Sequence, residues 1–160
     1  MNNIDLGLVL TIIAIVGAGL NAGVYFTFST FTMAGLRRLP PSEGAAAMQA
    51  INIEAPTRGF MTIFFGTAIV SLGLAAAAFV NFDPPGSSMV IAGASAYLAT
   101  IVITGIFNVP LNDRLEGVPA RSPQGVAVWS DYQVRWTRGN HVRLLASSAS
   151  AILLTLSLLV

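Results

Sequence analysis

The chain is 160 residues long with 54% hydrophobic and 9% charged side chains, too apolar for a water-soluble domain and expected of an integral membrane protein. Having no cysteine, it can form no disulfide, thiolate metal site or cysteine nucleophile. Its net charge of +1 combines eight arginines, no lysine and no long basic patch, so nucleic acid is not an expected partner.

Leu6 to Leu36 is uncharged and longer than the ~20 residues a span needs, so the first helix should tilt or project past the bilayer. The preceding MNNID lacks the positive region of a secretory signal, and the run reads as a retained first span. Gly19 and Gly23 form a small-xxx-small pair suited to close helix approach. Asn21, Tyr25, Phe28, Ser29 and Thr32 fall on one helical face, either as hydrogen-bonding glue between helices or as the lining of a site. Pro40 and Pro41 end this helix. Ser42 is a candidate N-cap for a short helix that runs to about Glu54, before Pro56. In that helix Met48 and Ile51 are spaced to pack onto the membrane face, and Glu54 is placed to pair with Arg58.

A second uncharged span follows at about 59–82, with Gly66 and Gly73 as packing points. The Pro-Pro-Gly chemistry of Asn81 to Ser87 then predicts a tight turn. Along the third span, about 86–112, Thr100, Thr104, Asn108 and Asn112 recur every fourth residue. Pro110 between the asparagines should kink or end the helix and free carbonyls there. Ser122-Pro123 is a helix start, from which the final helix should continue into a last span at about 138–160.

The expected fold is all-α: one domain, 1–160, forming an integral membrane four-helix bundle with a short helix in the first connection and a long fourth helix. All eight arginines lie in or beside the two longer connections, about 37–58 and 113–137. The positive-inside rule makes those connections cytoplasmic, and the chain a multi-pass protein of the cytoplasmic (plasma) membrane with both termini outside.

The segment 129–143, WSDYQVRWTRGNHVR, carries the densest chemistry. Trp129, Tyr132, Trp136, Asn140 and Arg143 share one helical face, and His141, the one histidine, sits beside it. Antiparallel packing would bring Asn108 and Asn112 to the same depth. The result would be a pocket with apolar walls, aromatic rings above and a few donors at its floor, suited to a flat, hydrophobic, weakly acidic ligand arriving from the bilayer. His141 could take a phenolic or activated C–H proton, with Asn140, Arg143, Asn108 and Asn112 stabilising the anion. Trp129, Tyr132 and Trp136, with Tyr25 and Asn21 from the first span, are candidates to bind the substrate. An interfacial aromatic belt is the competing reading of the rings. A single histidine without cysteine is a poor metal-ligand set, and no glycine-rich nucleotide loop is present, so no metal site is expected.

Leu36-Arg37-Arg38-Leu39-Pro40, Met48-Gln49-Ala50-Ile51-Asn52, Asn108-Val109-Pro110-Leu111-Asn112 and the W-x-x-Y-x-x-x-W-x-x-x-N-x-x-R motif resemble one known family across nearly the whole chain. It is the anthrone oxygenase-like family of small four-span membrane proteins, formerly a domain of unknown function. The resemblance implies oxidation of polycyclic anthrones to anthraquinones by dioxygen without an evident cofactor, as in polyketide pathways. It makes Asn108, Asn112, Trp129, Tyr132, Trp136, Asn140 and Arg143 the motif residues, with His141 inside the last motif. Two functions follow as expectations. One is an anthrone oxygenase-like monooxygenase of a hydrophobic hydroxyaromatic, anthrone-like or quinol-like, with dioxygen as co-substrate, no resident cofactor, and a bound quinone or haem left open. The other is a non-catalytic small subunit or assembly factor of a larger membrane complex, contacted through the Gly19/Gly23 face. The expected partners are the lipid bilayer and an aromatic small molecule, with self-association or a larger complex open. The absence of charge deep in the spans argues against an ion-coupled transporter.

Overall fold

The computed structural model describes residues 5–83 and 85–160, leaving residues 1–4 and Pro84, part of the expected 81–87 turn, outside the described residues. The described residues form five helices: α1 (Leu6–Leu36), α2 (Pro41–Glu54), α3 (Arg58–Val80), α4 (Gly86–Glu116) and α5 (Pro123–Leu156). No strand occurs among the described residues. Three of the starts are capped as helix chemistry requires. Asp5 accepts from the Gly7 amide at 2.8 Å, Thr57 from Phe60 at 3.2 Å and Ser122 from Gly125 at 2.9 Å. The second helix differs from expectation at this point. It begins at Pro41 with no side-chain cap, because a proline at the first position needs no amide partner and leaves Ser42 inside the helix.

The four long helices pack side by side in the cyclic order α1, α5, α4, α3, while α2 lies across α5 and the C-terminal end of α4. The interior they share is small and weakly polar. Ala14, Ala18, Ser71, Ala94, Ser147 and Ser150 are fully buried, whereas Phe79, Ile106, Ile69 and Leu145 are 77%, 73%, 71% and 70% exposed. A water-soluble domain distributes these residues the other way round, while helices packed in lipid approach through small residues and turn large ones outward. Three helices, α1, α3 and α4, are long and apolar enough to cross a membrane, and the chain is a membrane protein. The final helix ends at Leu156 and falls short of that hydropathy, since Arg138, Asn140, His141, Arg143 and several serines interrupt it.

Several local expectations are corrected. The close helix approaches occur at Gly17 against Thr67, Gly93 against Leu154 and Gly139 against Phe107, while a Cβ at Gly19, Gly23, Gly66 or Gly73 would meet nothing within 4 Å. Met48 and Ile51 pack inward in one cluster with Leu111, Leu115, Trp129 and Tyr132, because α2 lies across α5 and the end of α4. Gln49 holds it there, its amide donating to the carbonyls of Leu115 at 2.8 Å and Val118 at 2.9 Å. Glu54 and Arg58 do not pair. They belong to different helices separated by an extended turn, and the two ion pairs among the described residues both end on Asp131, from Arg114 and Arg135.

Pro110 does not end α4. The helix widens into a π turn over Thr104–Asn108, in which the Val109 amide reaches back to Thr104 O, and then continues to Glu116 with Pro110 in its first resumed turn. The widened turn absorbs the donor that proline lacks. A second π turn, Phe28–Thr32, interrupts α1 with no proline nearby.

Candidate functional site

Both π turns face the same stretch of α5. From the first, Ser29 Oγ accepts from Asn140 Nδ2 at 2.8 Å, and the same amide nitrogen donates to Tyr25 O at 2.7 Å. From the second, Thr104 Oγ1 accepts from Arg143 Nη1 at 3.2 Å, and Asn108 Nδ2 donates to Trp136 O at 3.2 Å. Asn140 Oδ1 accepts from Arg143 Nη2 at 2.8 Å. A fully buried amide is thus anchored by its nitrogen to Tyr25 and Ser29 and holds the guanidinium with its oxygen, while the two widened turns, which often mark functional sites, supply the Ser29 and Thr104 hydroxyl acceptors.

Arg143 is 6% exposed and has no carboxylate partner among the described residues. Its charge lies 4.7 Å from the ring centre of Tyr25 and 5.1 Å from that of Trp136, so aromatic faces and neutral oxygens are its company. A buried cation without a counter-ion costs several kcal/mol, roughly, unless something else compensates it. Beside it opens a cavity of about 180 Å³, roofed by Met48, Ile51 and Asn52 of α2 and walled by Tyr25, Asn112 and Trp136 among others. Four polar groups of its wall are buried without a partner: Tyr25 Oη, Asn52 Nδ2, Trp136 Nε1 and Arg143 Nε. All four can donate a hydrogen. The wall carries no carboxylate and no imidazole. The residues around the cavity thus hold donors without an acceptor among the described residues, a set that an oxyanion on an apolar body would complement.

Above the cavity the rings form a ladder. Trp129 stacks on Tyr132 at 5.7 Å between centres, Tyr132 on Trp136 at 6.0 Å, and Phe28 tilts against Trp136 at 5.3 Å. Trp129 seats on Gly44 of α2, where a Cβ would come within 3.1 Å of the indole nitrogen. Tyr132 donates to Asn112 Oδ1 at 2.9 Å, which fixes the amide that lines the cavity. Burial pushes the Tyr132 phenol above its ordinary pKa, and the neighbouring Asn52 amide and Arg143 charge oppose this only in part.

The structure brings together eight of the ten residues singled out from the sequence and leaves Asn21 and His141 apart. Tyr25, Asn112, Trp136, Asn140 and Arg143 line the cavity. Asn108, Tyr132 and Trp129 are buried behind them, as hydrogen-bonding or stacking supports. Asn21 lies one turn deeper, donating to Gly17 O at 2.9 Å within its own helix, and does not line the cavity. His141 is the outlier and does not line the cavity. One residue past Asn140 the helix has turned by about 100°, so the imidazole is exposed in a separate surface groove. It touches the site only through Ser29, whose Oγ is 2.8 Å from His141 Nδ1. Sequence reasoning missed Asn52 as a cavity residue and Ser29 as the bridge. Ser29 sat on the polar stripe of the first helix and Asn52 closed the second, but neither position reveals the π turn or the folded-over α2 that bring them in.

No curated protein and no solved structure matches the chain. The sequence model of the anthrone oxygenase family matches residues 60–153, from the start of α3 to near the end of α5, and so includes Asn108, Asn112, the ring ladder, Asn140 and Arg143. That match spans more than half of the 160 residues, and the chain belongs to the anthrone oxygenase family.

Proposed function

We propose that the protein is a membrane-embedded, cofactor-independent oxygenase of a hydrophobic hydroxyaromatic, anthrone-like or quinol-like, with dioxygen as co-substrate. The observation that carries this reading is Arg143, a buried guanidinium with no carboxylate partner, beside a cavity whose unpaired polar groups are all donors. Family membership supplies the reaction class. In this reading Arg143, Tyr25, Trp136 and Asn52 bind the oxygen of the ionised substrate, while Asn112 and the rings of Trp136 and Phe28 hold its plane. Stabilising the anion lowers the substrate's own pKa, so proton loss needs no side-chain base inside the cavity. The carbanion then gives one electron to dioxygen, and recombination forms a carbon-bound peroxide. For an anthrone-like substrate one CH2 group and one O2 become one carbonyl and one water, and for a quinol-like one a hydroquinone and one O2 become a quinone and hydrogen peroxide, the substrate supplying all the electrons. His141 is a positioning residue here. With His141 Nδ1 as the acceptor, the Ser29 hydroxyl points at the imidazole and leaves Ser29 Oγ to receive Asn140, which in turn holds Arg143.

The same proposal includes a fourth membrane crossing along the C-terminal half of α5, cytoplasmic connections and external termini, supported by the placement of all eight arginines. The test is oxygen consumption by the protein in bilayers offered an anthrone and a quinol. Arg143→Gln should lower kcat/KM by about a hundredfold or more while circular dichroism and elution stay unchanged. Asn140→Ala should follow it. Full turnover in both variants would rule the reading out.

A further inference from the structure

The outer face of α5 carries a second feature, unrelated to the cavity. A groove of about 600 Å³ is lined by Arg37, Gln133, Val134, Thr137, Arg138 and His141. Arg37 reaches it from the end of α1 and is pinned against α5, donating to Gln133 O at 2.9 Å and Thr137 Oγ1 at 3.2 Å. No carboxylate lines the groove, and the nearest acid along the helix, Asp131, is taken by Arg114 and Arg135. Arg138 is exposed and makes no ion pair. It also borders a second groove of about 280 Å³ whose other walls are Ile103, Ile106, Phe107, Gly139 and Val142. The basic groove and the apolar groove share this one arginine. Beyond it the apolar side continues over exposed Val102 and Leu145.

A cationic cleft joined at one residue to an apolar furrow, on the face where α1 and α5 meet the proposed cytoplasmic interface, matches a molecule with an anionic head and an alkyl chain. We infer that this face binds an anionic phospholipid, its phosphate between Arg37, Arg138 and His141 and one acyl chain along Ile103, Phe107 and Val142. A basic pocket between helices on the cytoplasmic side recognises such headgroups by charge, and each arginine adds to the preference over a zwitterionic lipid. Arg37 is the preorganised half of the clamp and Arg138 the free half. The apolar furrow separates this from a site for a free phosphate ion, which would need only the arginines. Since His141 also touches Ser29, the bound headgroup sits one hydrogen bond from the network that orients Arg143.

The experiment is native mass spectrometry of the full chain in mild detergent, with phosphatidylglycerol and phosphatidylcholine of identical chains added in equal amounts. Phosphatidylglycerol should be retained in about tenfold preference. Arg138→Gln, which breaks no internal hydrogen bond, should bring the two lipids close to parity, and Arg37→Gln should act the same way. Val142→Trp, which fills the furrow, should weaken retention of both lipids. A large excess of inorganic phosphate should leave the bound lipid in place. Equal retention of the two lipids by the unmodified chain, an unchanged preference in Arg138→Gln, or displacement by inorganic phosphate would each overturn the inference. None of these readouts depends on turnover, so the oxygenase reading can fail without it.

Discussion

Gly44 and Gly73 are both helical glycines, yet their surroundings are opposite. A Cβ at Gly44 would stand 2.8 Å from Leu36 O and press on Trp129, whereas one at Gly73 meets nothing within 4 Å. Gly44→Ala should therefore cost about 1–3 kcal/mol by overpacking, and Gly73→Ala should be neutral or gain up to about 1 kcal/mol of helix propensity. Thermal unfolding in one detergent would measure both. Tyr132 lies in the connection before the proposed last span, where burial raises its phenol pKa. The folded state then keeps a proton that the unfolded chain releases near pH ~10, so this contribution is intact below that pH and is lost as pH rises further. Tyr132→Phe should flatten that alkaline loss and cost about 1 kcal/mol near neutrality through its bond to Asn112, both readable from denaturation at several pH values. At this scale the sequence was most informative on α5. Helical spacing alone grouped Trp129, Tyr132, Trp136, Asn140 and Arg143, all of which are buried together. It was weakest one residue away, because adjacency in sequence is a 100° separation on a helix, and His141 ended on another surface.

The two π turns decide which side chains of α1 and α4 reach α5, and neither can be read from the chain. Periodicity of 3.6 reports a face, not the hydrogen-bond register within a turn, and the turn at Phe28–Thr32 has no proline to announce it. Pro110 did announce a disturbance in α4, but as a break, where the helix instead widens over Thr104–Asn108 and continues. The placement of α2 was similarly hidden. Its apolar positions were evident, but only the Gln49 bonds to Leu115 and Val118 turn them toward the ring ladder and away from lipid. Removing one residue from the first π turn tests its role. Deletion of Thr30 should restore a regular helix and rotate the preceding part of α1 by about 100° against Asn140, displacing Tyr25. The chain should still insert and remain helical by circular dichroism, while turnover is lost and the melting temperature falls. A deletion variant with unaltered activity would show that the widened turn has no part in building the site.

Along the four long helices, Phe79, Ile106, Ile69 and Leu145 face outward while Ala14, Ala18, Ser71, Ser147 and Ser150 are fully buried, an arrangement suited to lipid. The proposed topology can be checked directly because the chain has no cysteine. Ser87→Cys, at the start of α4 beside the short turn, should react with a membrane-impermeant maleimide added outside intact cells, and Ala120→Cys, in the longer connection, should react only after the membrane is opened. The reverse pattern would invert the assignment made from the arginines. The cavity beside Arg143 is bordered by Val24 and Val109, which are 37% and 40% exposed on the apolar outer surface, and by Phe60 and Met61 at the start of α3. A ligand entering between them comes sideways out of the hydrocarbon. For the proposed oxygenase, the quantity that sets the rate is then the mole fraction of substrate in the bilayer, not its molarity in water, so adding inert lipid at constant total substrate should slow turnover by surface dilution.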